Sequence, residues 1–254
     1  MLQAPEDRVQ IDAAISYYLR EKAVPLQLHA FRSLENGGEV SGWVALHAYP
    51  AYRGERLDRR AFFHRARDTF NAHRLEWIAF EQSLGALRAL PDWTTGMLSI
   101  SQVSLLVPGM LERLLRRLDK LPFAPEQLLL YLVSHDDCDY PEHLAQCTQA
   151  IGRYGVRLAG NRFMPEPIDD QRMALDFVRI SQPLAHALGA SLSHQVAVEQ
   201  MALRAKNMGA RLIAPALPTA QCREQARLMG VAFERLAGKP LPKAISDKSR
   251  RLSA

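Results

Sequence analysis

Apolar and polar positions alternate with period two along Val24–Leu34 (Val-Pro-Leu-Gln-Leu-His-Ala-Phe-Arg-Ser-Leu) and again along Glu39–Ala48. That period places successive side chains on opposite faces of a strand. Between the two segments lies Glu35-Asn36-Gly37-Gly38, and Asn-Gly supplies the positive φ of a tight hairpin, so the strands are expected to be antiparallel neighbours. Pro50 ends the second. Upstream, Ile11, Ala14, Ile15 and Leu19 recur at helical spacing within Asp7–Lys22. Downstream, the polar, arginine-rich Ala51–Arg60 reads as a loop. Helices are predicted over Arg60–Asn71 and Leu75–Ala89, the second with Trp77, Phe80, Leu84 and Leu87 on one stripe. Pro108–Leu121 is amphipathic, with Leu111, Leu114, Leu115 and Leu118 opposite Arg113, Arg116, Arg117 and Lys120. Leu128–Val133 (Leu-Leu-Leu-Tyr-Leu-Val) is apolar throughout, the mark of a strand covered on both faces as in parallel sheets.

In the second half one punctuation repeats. Tyr154-Gly155-Val156, Met208-Gly209-Ala210 and Met229-Gly230-Val231 each end a helix on glycine and enter a strand. Glycine just past a helix relieves the left-handed terminal conformation, and helix, glycine, strand is the rhythm of β/α units. Strands are expected at Leu26–Phe31, Val40–Ala48, Gly96–Ser101, Leu128–Val133, Val156–Ala159, Asp176–Ile180, Arg211–Ala214 and Ala232–Leu236. Eight strands with helices between most of them, in a chain of 254 residues, predict an α/β fold of the TIM-type (β/α)8 barrel class. Residues 1–242 form one barrel domain in this reading, and the basic segment 243–254 (Lys243, Lys248, Arg250, Arg251) is expected to be disordered.

Composition narrows the setting. A formal charge of +5 suits a weak attraction to anionic ligands or acidic partners, but no basic stripe is interleaved with aromatics, so DNA is not the expected partner. Cys138, Cys147 and Cys222 are odd in number and lack metal-like spacing, which predicts a reducing, cytoplasmic setting rather than a disulfide framework. No apolar run approaches the roughly 18–20 residues of a membrane span. Met1–Gln10 carries Glu6 and Asp7 and has no apolar signal core, so neither membrane nor secretion is expected.

In this register the chain resembles the EAL domain, the cyclic di-GMP phosphodiesterase family, from about Asp7 to Pro242. Gly42-Trp43-Val44-Ala45-Leu46 falls on that family's Gly-Tyr-Glu-Ala-Leu signature, and Leu98-Ser99-Ile100-Ser101 on its Val-Asn-Leu-Ser. Leu130-Tyr131-Leu132-Val133-Ser134 falls on Leu-Glu-Ile-Thr-Glu, and Ala159-Gly160-Asn161-Arg162-Phe163 on Ala-Leu-Asp-Asp-Phe. Phe177-Val178-Arg179-Ile180-Ser181 matches Tyr-Ile-Lys-Ile-Asp, and Ile213-Ala214-Pro215 opens the match to Ile-Ala-Glu-Gly-Val-Glu-Thr. Gln27 falls on the Gln of the family's first strand, and Gly238-Lys239-Pro240 on its closing Gly-Lys-Pro.

The resemblance implies hydrolysis of a phosphodiester by two divalent cations held on carboxylates and an Asn at the strand ends, chemistry that needs hard oxygen ligands. In this chain those ligand positions read Val44, Ser99, Tyr131, Asn161 and Pro215, with Arg162 beside Asn161. Valine and proline side chains cannot bind Mg²⁺, so no metal, no cofactor and no catalytic residue is expected. The resemblance then implies a degenerate, inactive EAL-like protein that regulates motility, adhesion or transcription through contact with a protein partner, with a homodimer possible. The alternative is a metal-independent cyclic di-GMP receptor that grips phosphate through Gln27, Arg162 and Arg179, since guanidinium matches phosphate geometry. A third reading keeps a hydrolase with relocated ligands at His135, Asp136 and Asp137.

Local alternatives bear on each. Ser134–Asp139 reads as a solvated loop whose end starts a helix, or as a metal or anion site. His47 reads as a filler of the barrel mouth, or as a catalytic base. Arg162 and Arg179 grip phosphate, or pair with acids such as Glu166 or Asp176. The run of arginines over Arg53–Arg74 reads as a solvated face, or as a docking surface for an acidic partner.

Overall fold

A strand buried on both sides must be apolar on both faces, and two apolar faces call for two separate cores. The computed structural model describes residues 5–35, 40–133, 141–161 and 175–240. The chain begins with α1 (Pro5–Glu21), β1 (Leu26–Ser33) and β2 (Val40–Ala48), followed by a small hairpin, β3 (Ala51–Tyr52) and β4 (Glu55–Arg56). Next come α2 (Arg59–Asp68), α3 (Ala72–Arg88), β5 (Thr95–Ser101), α4 (Gln102–Leu105), α5 (Met110–Leu118), β6 (Leu128–Val133), α6 (Pro141–Gly152) and β7 (Arg157–Gly160). The last part holds β8 (Phe177–Arg179), α7 (Gln182–Ala187), α8 (Leu192–Asn207), β9 (Arg211–Ala214), α9 (Ala220–Leu228), β10 (Val231–Arg235) and β11 (Lys239–Pro240).

Strands β1, β2, β5, β6, β7, β8, β9 and β10 pair in that order, and β10 returns to pair with β1, closing an eight-stranded barrel. Strand β1 is antiparallel to both neighbours, with Leu28 opposite Leu46 on β2 and Phe31 opposite Arg235 on β10; the remaining barrel pairs are parallel. The eight strands and the antiparallel first pair are those expected from the sequence. Beyond the reach of β10, β11 continues the pairing along β1, with Gln27 opposite Pro240. Gly155, Gly209 and Gly230 have φ of 76°, 73° and 80°, the left-handed conformation their positions after helices called for.

The two cores divide the strands by parity, except at β10, where a register shift between Val231 and Phe233 puts Ala232 and Phe233 both inside. On β6, Leu129 and Tyr131 point into the barrel, while Leu128, Leu130 and Leu132 meet the helices. A third cluster packs α1 on α2 through Ile11, Ile15, Tyr18, Phe62 and Ala66. At the N-terminal end of the parallel strands the barrel is plugged by aromatics. Trp43 stacks on Phe233 at 4.8 Å and meets Phe177 edge-on at 4.9 Å, while Arg157 lies over Trp43 and Arg211 over Phe233.

One expectation is corrected, and several features lie outside the described residues. Residues 51–60 are not a plain loop: they contain the β3–β4 hairpin, turning on Arg53 and Gly54 at φ 52° and 87°. Two-residue strands carry no alternation for a sequence reading to detect. The Asn36-Gly37 turn, the Ser134–Asp139 cluster with His135, Asp136 and Asp137, Arg162, Glu166 and the 243–254 tail all lie outside the described residues. Among the described residues no helix is long and apolar enough to cross a membrane.

Candidate functional site at the barrel mouth

The end of the barrel opposite the aromatic plug is its mouth, and pairing fixes which residues reach it. Leu46 is level with Leu98 and Ser99 with Tyr131, so the inward residues at one height are His47, Ser99 and Tyr131. Val44 is not among them. Its neighbours Trp43 and Ala45 join the inner cluster, whereas Val44 packs against the outer, helix-facing one. This corrects the sequence reading: side chains alternate along β2, so position 44 points away from the mouth and His47 occupies it. Ser99 and Tyr131 do stand at the mouth, Asn161 lines the cleft that opens from it, and Pro215 is buried just past β9. Gln27 is level with His47 on β1.

His47 is only 4% exposed. Its Nδ1 lies 3.1 Å from Ser99 Oγ, and its Nε2 has no partner among the described residues. The His29 ring meets it edge-on at 5.4 Å, and His29 Nδ1 lies 3.1 Å from the Leu236 carbonyl, to which it donates. Gly238 lies close above: a Cβ there would come within 2.3 Å of His29 Cε1 and 2.6 Å of Gln27 Cδ. The chain after β10 thus folds down onto the two inward residues of β1.

Three arginines converge on the same space. Arg179, at the end of β8, lies over the Tyr131 ring at 5.4 Å with Nη1 3.4 Å from the hydroxyl. It does not pair with Asp176, whose Oδ2 instead accepts from the Leu158 amide. Arg235 ends β10, and its Nε is buried without a partner among the described residues. Arg59 arrives from outside the barrel. Asp58 caps α2 by accepting from the Ala61 amide at 2.7 Å, which sets Arg59 as the first helical residue beside the mouth. Solvent reaches along the Arg59 side chain, yet protein surrounds its charged end on most sides. Arg59 is exposed by area, as the solvated-face reading of the arginine run has it, and it also stands beside the mouth because its helix starts next to a strand end.

The arginines and histidines shift one another. Burial, then the repulsion of Arg179, lowers the Arg59 pKa, with Tyr131 and Glu76 acting the other way. Burial, followed by Arg179 and Arg59, pushes Arg235 down to about 10. Burial and the nearby arginines hold His29 at about 4 despite its bond to Leu236, and drive His47 well below the ordinary histidine value. Both imidazoles are therefore neutral at pH 7. Among the described residues none of the three guanidiniums forms an ion pair, and the carboxylate nearest them, Glu76, accepts from the Ser101 amide and hydroxyl at 3.0 and 2.9 Å. A cleft of about 610 Å³ opens from His47, Ser99 and Arg59 along Arg60, His64 and Arg67 of α2.

Chemically this is a site for an anion. Among the described residues no group of three or more His, Cys, Asp or Glu could hold a metal ion, and a divalent cation would meet guanidiniums in place of the hard anionic oxygens it needs.

No protein-family model and no curated protein matches the sequence. Solved structures do. The EAL domain of FimX from Xanthomonas citri, in complex with c-diGMP, is similar with a TM-score of 0.75 and 15% identity over 93% of this chain and 96% of that one. The EAL enzyme Bd1971, in its cAMP- and cyclic-di-GMP-bound form, has a TM-score of 0.80 and 12% identity, covering 97% of this chain and 70% of that one. An EAL domain protein from Listeria monocytogenes EGD-e has a TM-score of 0.75 and 12% identity over 94% of this chain and 98% of that one. At these identities the likeness establishes the fold, an EAL-type barrel with its first strand reversed.

Proposed function

We propose that this barrel is a metal-independent receptor that binds a phosphate-bearing ligand at its mouth and does not hydrolyse it, with cyclic di-GMP as the candidate ligand. The observation that carries the reading is the convergence of Arg59, Arg179 and Arg235, unpaired with any carboxylate among the described residues, around two buried nitrogens that lack partners, His47 Nε2 and Arg235 Nε. Guanidinium groups held together in the absence of an anion repel one another, and an entering phosphate relieves that repulsion while accepting their hydrogen bonds. Cyclic di-GMP is named because it is the molecule bound in the FimX and Bd1971 structures. No hydrolysis is expected in this reading, because serine at 99, tyrosine at 131 and histidine at 47 supply no carboxylate for two metal ions among the described residues at that height.

Calorimetry in EDTA tests this directly. Binding near micromolar is expected, unchanged by Mg²⁺ or Mn²⁺, weakened at least tenfold in Arg179→Ala, and without a linear product on prolonged incubation. Turnover with either metal would sink the reading.

A second reading, regulation through protein contact, is favoured by α8. Leu192, Val196 and Leu203 fall on one side of that helix and are 75%, 46% and 54% exposed, while Val198 and Ala205 are buried on the other. An amphipathic helix on a barrel needs only the second stripe, and an exposed first one suits a protein partner. A native pull-down with and without cyclic di-GMP, comparing wild type with Leu192→Ser/Leu203→Ser, is expected to lose its partner in the double variant.

A further inference from the structure

His47 stands among the three arginines at the mouth, 4% exposed. Ser99 Oγ stands 3.1 Å from its Nδ1, and the other ring nitrogen is buried and alone. The neutral ring carries one proton, on one of the two nitrogens. A Ser99 hydroxyl that donates to Nδ1 leaves the hydrogen on Nε2, the nitrogen without a partner among the described residues.

In that tautomer the N–H has no acceptor among the described residues. Around it stand cations and neutral groups: His29 from β1, Tyr131 from β6, Arg59 from α2, Arg179 from β8 and Arg235 from β10. The carboxylate Glu76 is engaged by Ser101. A buried donor without a partner keeps its full desolvation cost, and such an atom in a ligand cleft marks where a ligand supplies the missing half. We infer that His47 is a ligand-contacting residue, presenting Nε2–H to an oxygen of the bound phosphate while Ser99 fixes its tautomer. This rests on the receptor reading and adds to it a chemical requirement: the atom that meets His47 is an acceptor, so the site favours an oxyanion oxygen there and rejects an ammonium group.

The test uses the full chain labelled with ¹⁵N-histidine, with cyclic di-GMP and inorganic pyrophosphate as probes, both in EDTA. Long-range proton–nitrogen correlation of the empty protein is expected to show His47 with its hydrogen on Nε2, and addition of a probe is expected to shift that resonance. His47→Leu, which keeps bulk and removes the donor, is expected to weaken binding at least tenfold; His47→Gln, which restores a donor, is expected to stay within threefold of wild type. A hydrogen on Nδ1, or a His47→Leu variant that binds as wild type does, overturns the inference while leaving the receptor reading standing. Wild type that binds neither probe overturns both. Should His47→Leu fail to fold, the shift of the wild-type Nε2–H resonance on adding a probe decides the question.

Discussion

The guanidinium of Arg179 lies across the ring of Tyr131, 5.4 Å from its centroid, with Nη1 3.4 Å from the phenol oxygen. An aromatic face stabilises the cation without neutralising it, so Arg179 keeps its charge available to an incoming anion and continues to repel Arg59 and Arg235. Two outcomes follow for Arg179→Met. The empty protein melts higher than wild type at low ionic strength, because one of three like charges is gone, and the gain shrinks in salt. Phosphate-ligand affinity falls at least tenfold. Thermal melts across a salt series, paired with calorimetry, check both.

Replacing Tyr131 by Glu returns an acidic group to a strand end without rebuilding a cation site. The new carboxylate is expected to pair with Arg179, leaving binding of Mn²⁺ undetectable by calorimetry and abolishing the grip on phosphate. Metal binding with hydrolysis in Tyr131→Glu alone would contradict the account of the mouth given above.

Acid should loosen the fold through His29 and His47. His29 titrates at about 4 in the folded protein and near 6.5 when unfolded, so between those values the unfolded chain holds more protons than the folded one. Stability is thus unaffected by this pair above about pH 7, and declines as pH falls from about 6.5 towards 4. Denaturant unfolding across pH 4–8 should show the decline, and His29→Gln/His47→Gln should flatten it.

Gly238→Ala would force a methyl group against His29 and Gln27 at distances no Cβ tolerates. Displacing the chain after β10 is expected to cost about 1–3 kcal/mol, the usual range for overpacking, and to reduce ligand affinity at the same time. Chemical denaturation and calorimetry on the one variant measure the two effects.

Phe70, between α2 and α3, is 85% exposed and held at φ 54°, a conformation unfavourable for a bulky residue by about 1–2 kcal/mol. Phe70→Gly should raise the unfolding free energy by up to about 1 kcal/mol and leave phosphate binding alone.

How far the sequence reveals these features depends on which physical signal each one carries. The eight strands were legible because glycine after a helix and period-two alternation are local signals, and the reversed first strand because Asn-Gly lies between its partners. Arg179 was legible as a mouth residue because Phe177-Val178-Arg179-Ile180-Ser181 falls in register on the Tyr-Ile-Lys-Ile-Asp of the family that the chain resembles. The one-residue difference between Val44 and its inward neighbours was not legible. Trp43, Val44, Ala45 and Leu46 are all apolar, so either parity satisfies a strand with cores on both faces. Arg59 was hidden in a run of arginines that are exposed as it is, such as Arg60 and Arg74, and only its place beside the mouth sets it apart. His29 and Arg235 belong to the same site only because β1 and β10 pair, a contact across two hundred residues that no local pattern announces.

The β1–β10 seam also sets when the mouth can exist. His29 comes from the barrel's first strand, while Arg235 ends its eighth and Leu236 and Gly238 follow it, so a nascent chain carries every intervening strand before the mouth is complete. Long-range closure of this kind slows folding, and it makes ligand recognition a report on a closed barrel. A chain released before residue 231 would retain the helical layer's apolar surfaces without the seam that covers them, an obvious substrate for chaperones and proteases.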